Sequence, residues 1–226
     1  YHWLSCNKLA HFSRVNSPLH EAQLNFALLR PLGVTLVPSL PQLVDWYGVS
    51  AEPDPAHAQW CKAGARHIIL HPKSNGNGRE WPLASFLQLV QSVAGDASWQ
   101  FWLTGSAKEG EFLAEHAPQL VTAPNVQNLC GKLDLGGLAR LMTRADGLVA
   151  SGTGPLHMAA ALGRPCVGLF PPIKPIDPAR WGALGKQAQS LVGASACNSC
   201  TGAAQCQCMQ AITPAQVLAA LAAGLA

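Results

Sequence analysis

The chain's 226 residues are enough for one large or two small domains with a real apolar core. Only 12% of them are charged, against about a quarter in most soluble proteins, while 49% are apolar. A net charge of +3 and the lack of a long basic run exclude an electrostatic case for nucleic acid, and no apolar run reaches the roughly eighteen residues that a membrane-spanning helix needs.

The opening YHWLSCNKLAHFSR lacks the apolar centre of a signal peptide, so the expected location is the cytoplasm, with peripheral contact at an anionic membrane surface left open. It starts with Tyr rather than Met, and the natural N-terminus is expected to lie upstream. Ser17-Pro18 then predicts a helix running to Gly33, with Ser as cap, Pro at the first position and Leu24, Leu28 and Leu32 at helical spacing. Residues 34–65 are rich in Pro and read as a connecting segment with one short helix around 43–47. From Arg66 onward the pattern alternates. Strands are predicted at 67–70, 99–104, 126–130, 147–150, 166–170 and 189–192. Helices are predicted at 83–94, 108–116, 135–144 and from Pro155 to a close at Gly163, with a last one capped by Thr213 and opened by Pro214. This alternation predicts an α/β, Rossmann-like parallel sheet with helices on both faces, and ligands beyond the carboxyl ends of its strands.

The loops at those strand ends carry the chemistry. RADGLVASGTGPLHMAAALGRPCVGLF, residues 144–170, reads as strand, turn, helix, strand. Gly152 and Gly154 let the backbone approach a ligand, and the helix that follows offers free N–H groups and the positive end of its dipole to a phosphate. His157 lies in the first turn of that helix. It is either a helix-start histidine satisfied by a carbonyl or a ligand contact, and the small residues around it favour the second. The first loop, HPKSNGNGREWP at 71–82, combines Lys73 and Arg79 with Ser74 and two glycines. An Arg can hold phosphate oxygens with a planar fork and a Lys as a point charge. The competing reading is a flexible polar loop anchored by Trp81. In TGSAKEG, at 104–110, Glu109 reads as a favourable partner for a helix dipole.

Of eight cysteines, Cys6, Cys61, Cys130 and Cys166 are scattered and read as small buried hydrophobes. Cys197, Cys200, Cys206 and Cys208 cluster near the C-terminus. Their spacing fits reduced structural thiols or a disulfide ahead of a structural zinc site, with a catalytic cysteine last.

SGTGPLHMAAALGRP, together with the segment LARLMTRAD before it, resembles the donor-binding signature of the bacterial lipopolysaccharide heptosyltransferases, glycosyltransferase family 9. The loop before Trp81-Pro82 resembles the family's phosphate loop, which carries Ser74 and Arg79 over as diphosphate contacts, with Lys73 added on charge alone. The turn at Gly105 resembles the family's Gly-then-acid turn and makes Glu109, with Glu111 as fallback, the expected ribose contact. The segment CGKLDL, at 130–135, resembles the stretch against which adenine lies, placing Lys132 and Leu133 at the base. The closing Ile212-Thr213-Pro214 helix matches as well. Two positions depart from the family pattern. Gly152 stands where relatives carry an Asp that faces the sugar, and Pro171-Pro172-Ile173 follows Phe170 where relatives often have Gly-Pro-Thr.

The resemblance implies a GT-B architecture in which residues 1–65 are the tail of an N-terminal acceptor domain plus the interdomain linker, and residues 66–226 form the C-terminal nucleotide-sugar-binding domain. It implies an inverting transfer of heptose from ADP-heptose, as co-substrate, to the lipopolysaccharide inner core, with no further cofactor and no metal. The general base would belong to the missing N-terminal part, so no catalytic residue is expected in this chain. Its part would be to hold the leaving diphosphate, through backbone N–H groups in the turn Thr153-Gly154-Pro155-Leu156 with His157, Arg79 and Ser74. Two other readings stand beside it: a non-catalytic nucleotide- or partner-binding domain, and another GT-B enzyme such as a sugar-nucleotide epimerase that would prefer UDP.

Overall fold

The computed structural model describes residues 7–14, 17–76, 78–194 and 207–225. Its centre is a sheet of six strands: β1 (Arg66–His71), β2 (Trp99–Leu103), β3 (Val126–Asn128), β4 (Gly147–Ser151), β5 (Cys166–Phe170) and β6 (Ala188–Val192). They lie in the order β3-β2-β1-β4-β5-β6, and every neighbouring pair is parallel. This is the α/β, Rossmann-like class that the sequence predicts.

The four inner strands are mostly apolar because both faces of the sheet are covered. Successive side chains enter different cores. Ile68, Leu70, Phe101, Leu103, Val149, Val167 and Leu169 pack on one face, and Ile69, Trp102, Leu148, Ala150, Cys166 and Phe170 on the other. The first face is covered by α3 (Leu83–Ser92), α4 (Ala107–His116), the short α5 (Pro118–Val121) and α10 (Pro214–Gly224), through Phe86, Leu89, Leu113, Leu120, Val217 and Leu221. The second is covered by α6 (Leu135–Met142) and α7 (Gly154–Ala161), through Leu138, Leu141, Leu156 and Ala159. The chain therefore changes face between β1 and β4, and the loops leaving those two strands diverge to open a crevice. In register His71 stands beside Ala150, so the loops start at the same level.

The helix predicted from Ser17 begins later. His20 is the cap: its ring accepts the Ala22 N–H, and Gln23 reaches back to the His20 N–H. The helix α1 (Glu21–Phe26) then tightens into a 3-10 stretch, Ala27–Leu32, before Gly33 ends it. Leu24 is buried, but Leu28 and Leu32 are 50% and 73% exposed, so the predicted apolar stripe is not a core face here. In the connecting segment, Ser39 caps α2 (Leu40–Asp45), and a 3-10 turn at Pro55–Trp60 docks on the sheet's second face. There Trp102 Nε1 donates to the Trp60 carbonyl at 3.1 Å and Arg144 Nε to the Asp54 carbonyl at 3.1 Å. Cys166 is buried as expected and Cys130 half-buried, whereas Cys61 is exposed, because it ends this 3-10 turn at the surface. Burial pushes the Cys130 thiol up to about 11 and that of Cys166 to about 12, so both are inert packing groups. Cys6, Cys197, Cys200 and Cys206 lie outside the described residues, and Cys208 is buried in the short α9 (Gln207–Gln210). Between β5 and β6 lies an irregular segment broken by one short helix, α8 (Pro178–Trp181). Among the described residues no helix is long and apolar enough to cross a membrane.

Candidate functional site

A cleft of about 510 Å³ opens at the point where the chain changes face. Its lining includes Lys73, Ser74, Arg79, Glu109, Gly152, Thr153, Gly154, Pro155 and His157, so the structure gathers nine residues that the sequence nominates from three separate loops.

The turn from β4 into α7 supplies the unsatisfied groups. Thr153 caps α7 in an extended conformation, yet its hydroxyl makes no capping bond, and Thr153 Oγ1 is buried without a partner. Among the described residues the N–H groups of Thr153 and Gly154 also have no acceptor. Of the four backbone positions nominated in this turn, only these two can give an N–H to a ligand: Pro155 has none, and the Leu156 N–H is used by the Thr153 carbonyl at 3.1 Å. The Leu156 side chain is wholly buried in the second core and does not reach the cleft. Gly163 closes α7 with φ of +69°, the left-handed conformation expected of a residue just past a helix end.

Arg79 approaches from the facing loop. Its Nε is buried and unpartnered, on a residue that lines the cleft. A buried polar atom with no partner is costly, and such atoms are rare unless a ligand or water completes them. Lys73 and Ser74 are satisfied within the loop. Lys73 Nζ donates to Glu80 Oε2 and lies over the Phe112 ring, 4.2 Å from its centre. Glu80 Oε1 accepts the Ser74 N–H at 2.8 Å and faces the Ser74 hydroxyl at 3.1 Å, while that hydroxyl also donates to the Gly78 carbonyl at 3.0 Å. Trp81 anchors the base of the loop, buried edge-on to Phe86 with its Nε1 donating to the Ile212 carbonyl at 2.9 Å.

His157 lines the cleft from the first turn of α7. Burial, and then the neighbouring His20, hold its pKa below the ordinary imidazole value, so it is neutral near pH 7. Glu109 also lines the cleft, with Oε2 accepting from the Ser106 N–H and hydroxyl at 2.7 and 2.9 Å as one half of the cap of α4. Glu111 is exposed on α4 and lies outside the lining. Lys132, exposed, and Leu133, half-buried, follow β3 beside the start of α4, where a Cβ at Gly131 would come within 3.0 Å of Ala107 Cα. They stand next to the cleft rather than in it.

At Gly152 the backbone runs against Phe170: a Cβ there would sit 2.6 Å from Phe170 Cε1. The phenyl ring thus occupies the place that a side chain at 152 would need. Phe170 begins an apolar end of the cleft, continued by Leu169, Pro171, Ile176 and Trp181.

The sequence reading missed Glu80, His71 and this apolar end. Glu80 was legible as the one carboxylate among the loop's cations. His71 lines the cleft with Nδ1 3.0 Å from Thr104 Oγ1, whose own proton goes to the Leu70 carbonyl at 3.3 Å. That pairing makes Nδ1 the donor and leaves Nε2 as an acceptor. Burial lowers the His71 pKa, against the pull of Glu109 and Glu80.

Residues 12–210 match the family model for glycosyltransferase family 9 (heptosyltransferase). Lipopolysaccharide heptosyltransferase 1 of Pseudomonas aeruginosa is 30% identical over 166 residues, which cover 71% of this chain and 42% of that protein. Among solved structures, the Escherichia coli ADP-heptose lipopolysaccharide heptosyltransferase II is 27% identical with a TM-score of 0.58, over 75% of this chain and 49% of the other. A glycosyltransferase family 9 protein of Veillonella parvula shares the fold at 20% identity with a TM-score of 0.64, over 94% of this chain and 62% of the other. The chain spans less than half the length of the curated relatives it matches.

Proposed function

The chain belongs to glycosyltransferase family 9, and from that premise we propose that it is the donor-binding half of an inverting heptosyltransferase, holding ADP-heptose for transfer to the lipopolysaccharide inner core at the cytoplasmic face of the inner membrane. In this reading residues 66–226 are the nucleotide-sugar domain, residues 1–65 the tail and linker of an acceptor domain, and the general base lies in a part of the protein beyond this chain. The observation that carries the reading is the convergence of unsatisfied donors on one cleft: Thr153 Oγ1, Arg79 Nε and the N–H groups of Thr153 and Gly154. All suit an anion, and an adenosine diphosphate leaving group supplies one.

The chemistry asked of these residues is charge stabilisation. As the bond from the anomeric carbon to the diphosphate breaks, negative charge builds on the phosphate oxygen, and fixed donors in a partly dry cleft meet it without reorganising. Neutral His157 gains a proton more readily beside that charge, so it shifts from a neutral donor toward a cation as the leaving group forms. Glu109 faces the ribose hydroxyls, Lys132 and Leu133 border the base, and Ser74 steadies the loop rather than spending its proton on phosphate. Side chains and the helix end supply the positive potential, and no metal is needed in this scheme.

A second reading has one observation behind it. With Phe170 filling the space at Gly152, that position offers no side-chain acceptor for sugar hydroxyls, as expected of a domain that binds a nucleotide without transferring a sugar. Calorimetric titration with ADP and UDP, followed by product detection with the intact protein and ADP-heptose, tests both. Preference for ADP with transfer supports the transferase. ADP binding without product favours the second reading, and preference for UDP points to another sugar-nucleotide enzyme.

A further inference from the structure

The cleft wall that carries Ile176 and Trp181 has little regular structure of its own, with α8 a single four-residue turn. It is gripped from outside by residues some 160 positions earlier in the chain. Arg180 donates Nε and Nη2 to Glu21 Oε2 at 2.9 and 2.8 Å, and Nη1 to the Arg14 carbonyl at 2.8 Å. Arg14 Nη1 closes the circuit on Glu21 Oε1 at 2.9 Å. His20 Nε2 donates to the Gly182 carbonyl at 2.8 Å while its Nδ1 accepts the Ala22 N–H at 3.1 Å, so both ring nitrogens are committed and the ring is a fixed neutral tautomer. These contacts take hold of the residues on either side of Trp181.

Neither Glu21 nor His20 lines the cleft, yet both are buried, with 5% and 6% exposure. A carboxylate this enclosed and doubly paired differs from a surface ion pair, whose contribution is small. An irregular wall with few core contacts belongs to the part of a fold that opens most easily, and such an anchor determines how often it stands closed. We propose that Arg14, His20 and Glu21 form a strap that holds the Trp181 wall in its ligand-ready position, making Glu21 and His20 positioning residues for nucleoside diphosphate binding.

This rests on the reading of the cleft as a nucleoside diphosphate site. Apparent affinity scales with the fraction of molecules that are binding-competent, so a cut strap that leaves about a tenth of the walls in place weakens binding roughly tenfold. The test is titration of this chain with ADP, comparing wild type with Glu21→Ala, Arg180→Ala, the double variant and Glu21→Asp, each checked by thermal melting. The strap predicts that each alanine variant binds about tenfold more weakly, that the double variant is no worse than either single, and that Glu21→Asp recovers part of the loss. Wild-type affinity in both single variants overturns it, as does a double variant whose losses simply add. If an alanine variant does not fold, Glu21→Gln and Arg180→Lys carry the same comparison, and unchanged affinity in both overturns the strap. Absence of ADP binding by the wild type overturns the diphosphate reading itself, and the strap's role with it.

Discussion

Two loops face each other across the cleft, and they differ in how their polar groups are occupied. The loop after β1 holds most of the positive charge, yet Lys73 is paired with Glu80, and Ser74 is bonded to Glu80 and Gly78, so that among its described residues Arg79 Nε is the one buried side-chain donor without a partner. The turn after β4 contains no charged side chain between Ser151 and Leu156, yet Ser151 Oγ and Thr153 Oγ1 are buried without partners beside the bare amides of Thr153 and Gly154. On the proposed reading, formal charge is therefore a poor guide to where an anion is held. Unsatisfied donors fixed in place are the better one, because they are already desolvated before the ligand arrives.

Acid is the broadest way to break the contrast, since neutral imidazoles stand on both sides of the cleft and around it. Burial lowers the pKa values of His71 and His157, and also of His20, His57 and His67. A histidine whose folded pKa is depressed lends stability that is fully present above the ordinary imidazole value of about 6.5 and is lost as pH falls through the folded value. Melting midpoints measured from about pH 8 down to about pH 5 should hold steady and then drop below about 6.5. A midpoint that rises on acidification contradicts the buried neutral rings.

The next effect isolates the β4 turn. Gly152→Asp forces a side chain against Phe170 and strands a carboxylate there, which should cost roughly 3 kcal/mol of folding free energy by denaturant unfolding. Pairing it with Phe170→Leu should recover part of that loss. A smaller change sharpens the comparison most. Thr153→Val keeps the shape and removes the orphaned hydroxyl, so ADP affinity should fall by about 1 kcal/mol while stability stays level or rises. Capping does not confound this variant, because the Thr153 side chain makes no capping bond. The smallest effect belongs to the other loop. In the double variant Lys73→Met, Glu80→Gln the net charge is unchanged and Gln can still accept from Ser74, so ADP affinity should move by less than about 1 kcal/mol. A larger loss makes Lys73 a direct phosphate contact.

The inner strands were legible because each is a short, mostly apolar run between turn residues, and Cys166–Phe170 is predicted to the residue. The turn from β4 into α7 was legible because Gly, Pro and small residues have few other uses at a strand-to-helix junction. The start of α1 was misread because Ser17-Pro18 looks like a cap, whereas the cap is a histidine, a residue without strong capping preference, whose ring is fixed by Gly182 far along the chain. The same limit hid the Arg180–Glu21 pair and the Phe170 ring behind Gly152. Those are tertiary facts with no periodic signal. Glu80 was legible as the carboxylate that neutralises Lys73.

The account stands on the donors at the tip of α7, and backbone amide resonances report on them directly. When this chain is titrated with ADP, the account predicts that the largest 1H–15N shifts appear at Thr153 and Gly154, with a smaller response at the Arg79 side-chain Nε–H. Saturable ADP binding that leaves those two amides unmoved, or shifts centred elsewhere on the surface, would contradict it.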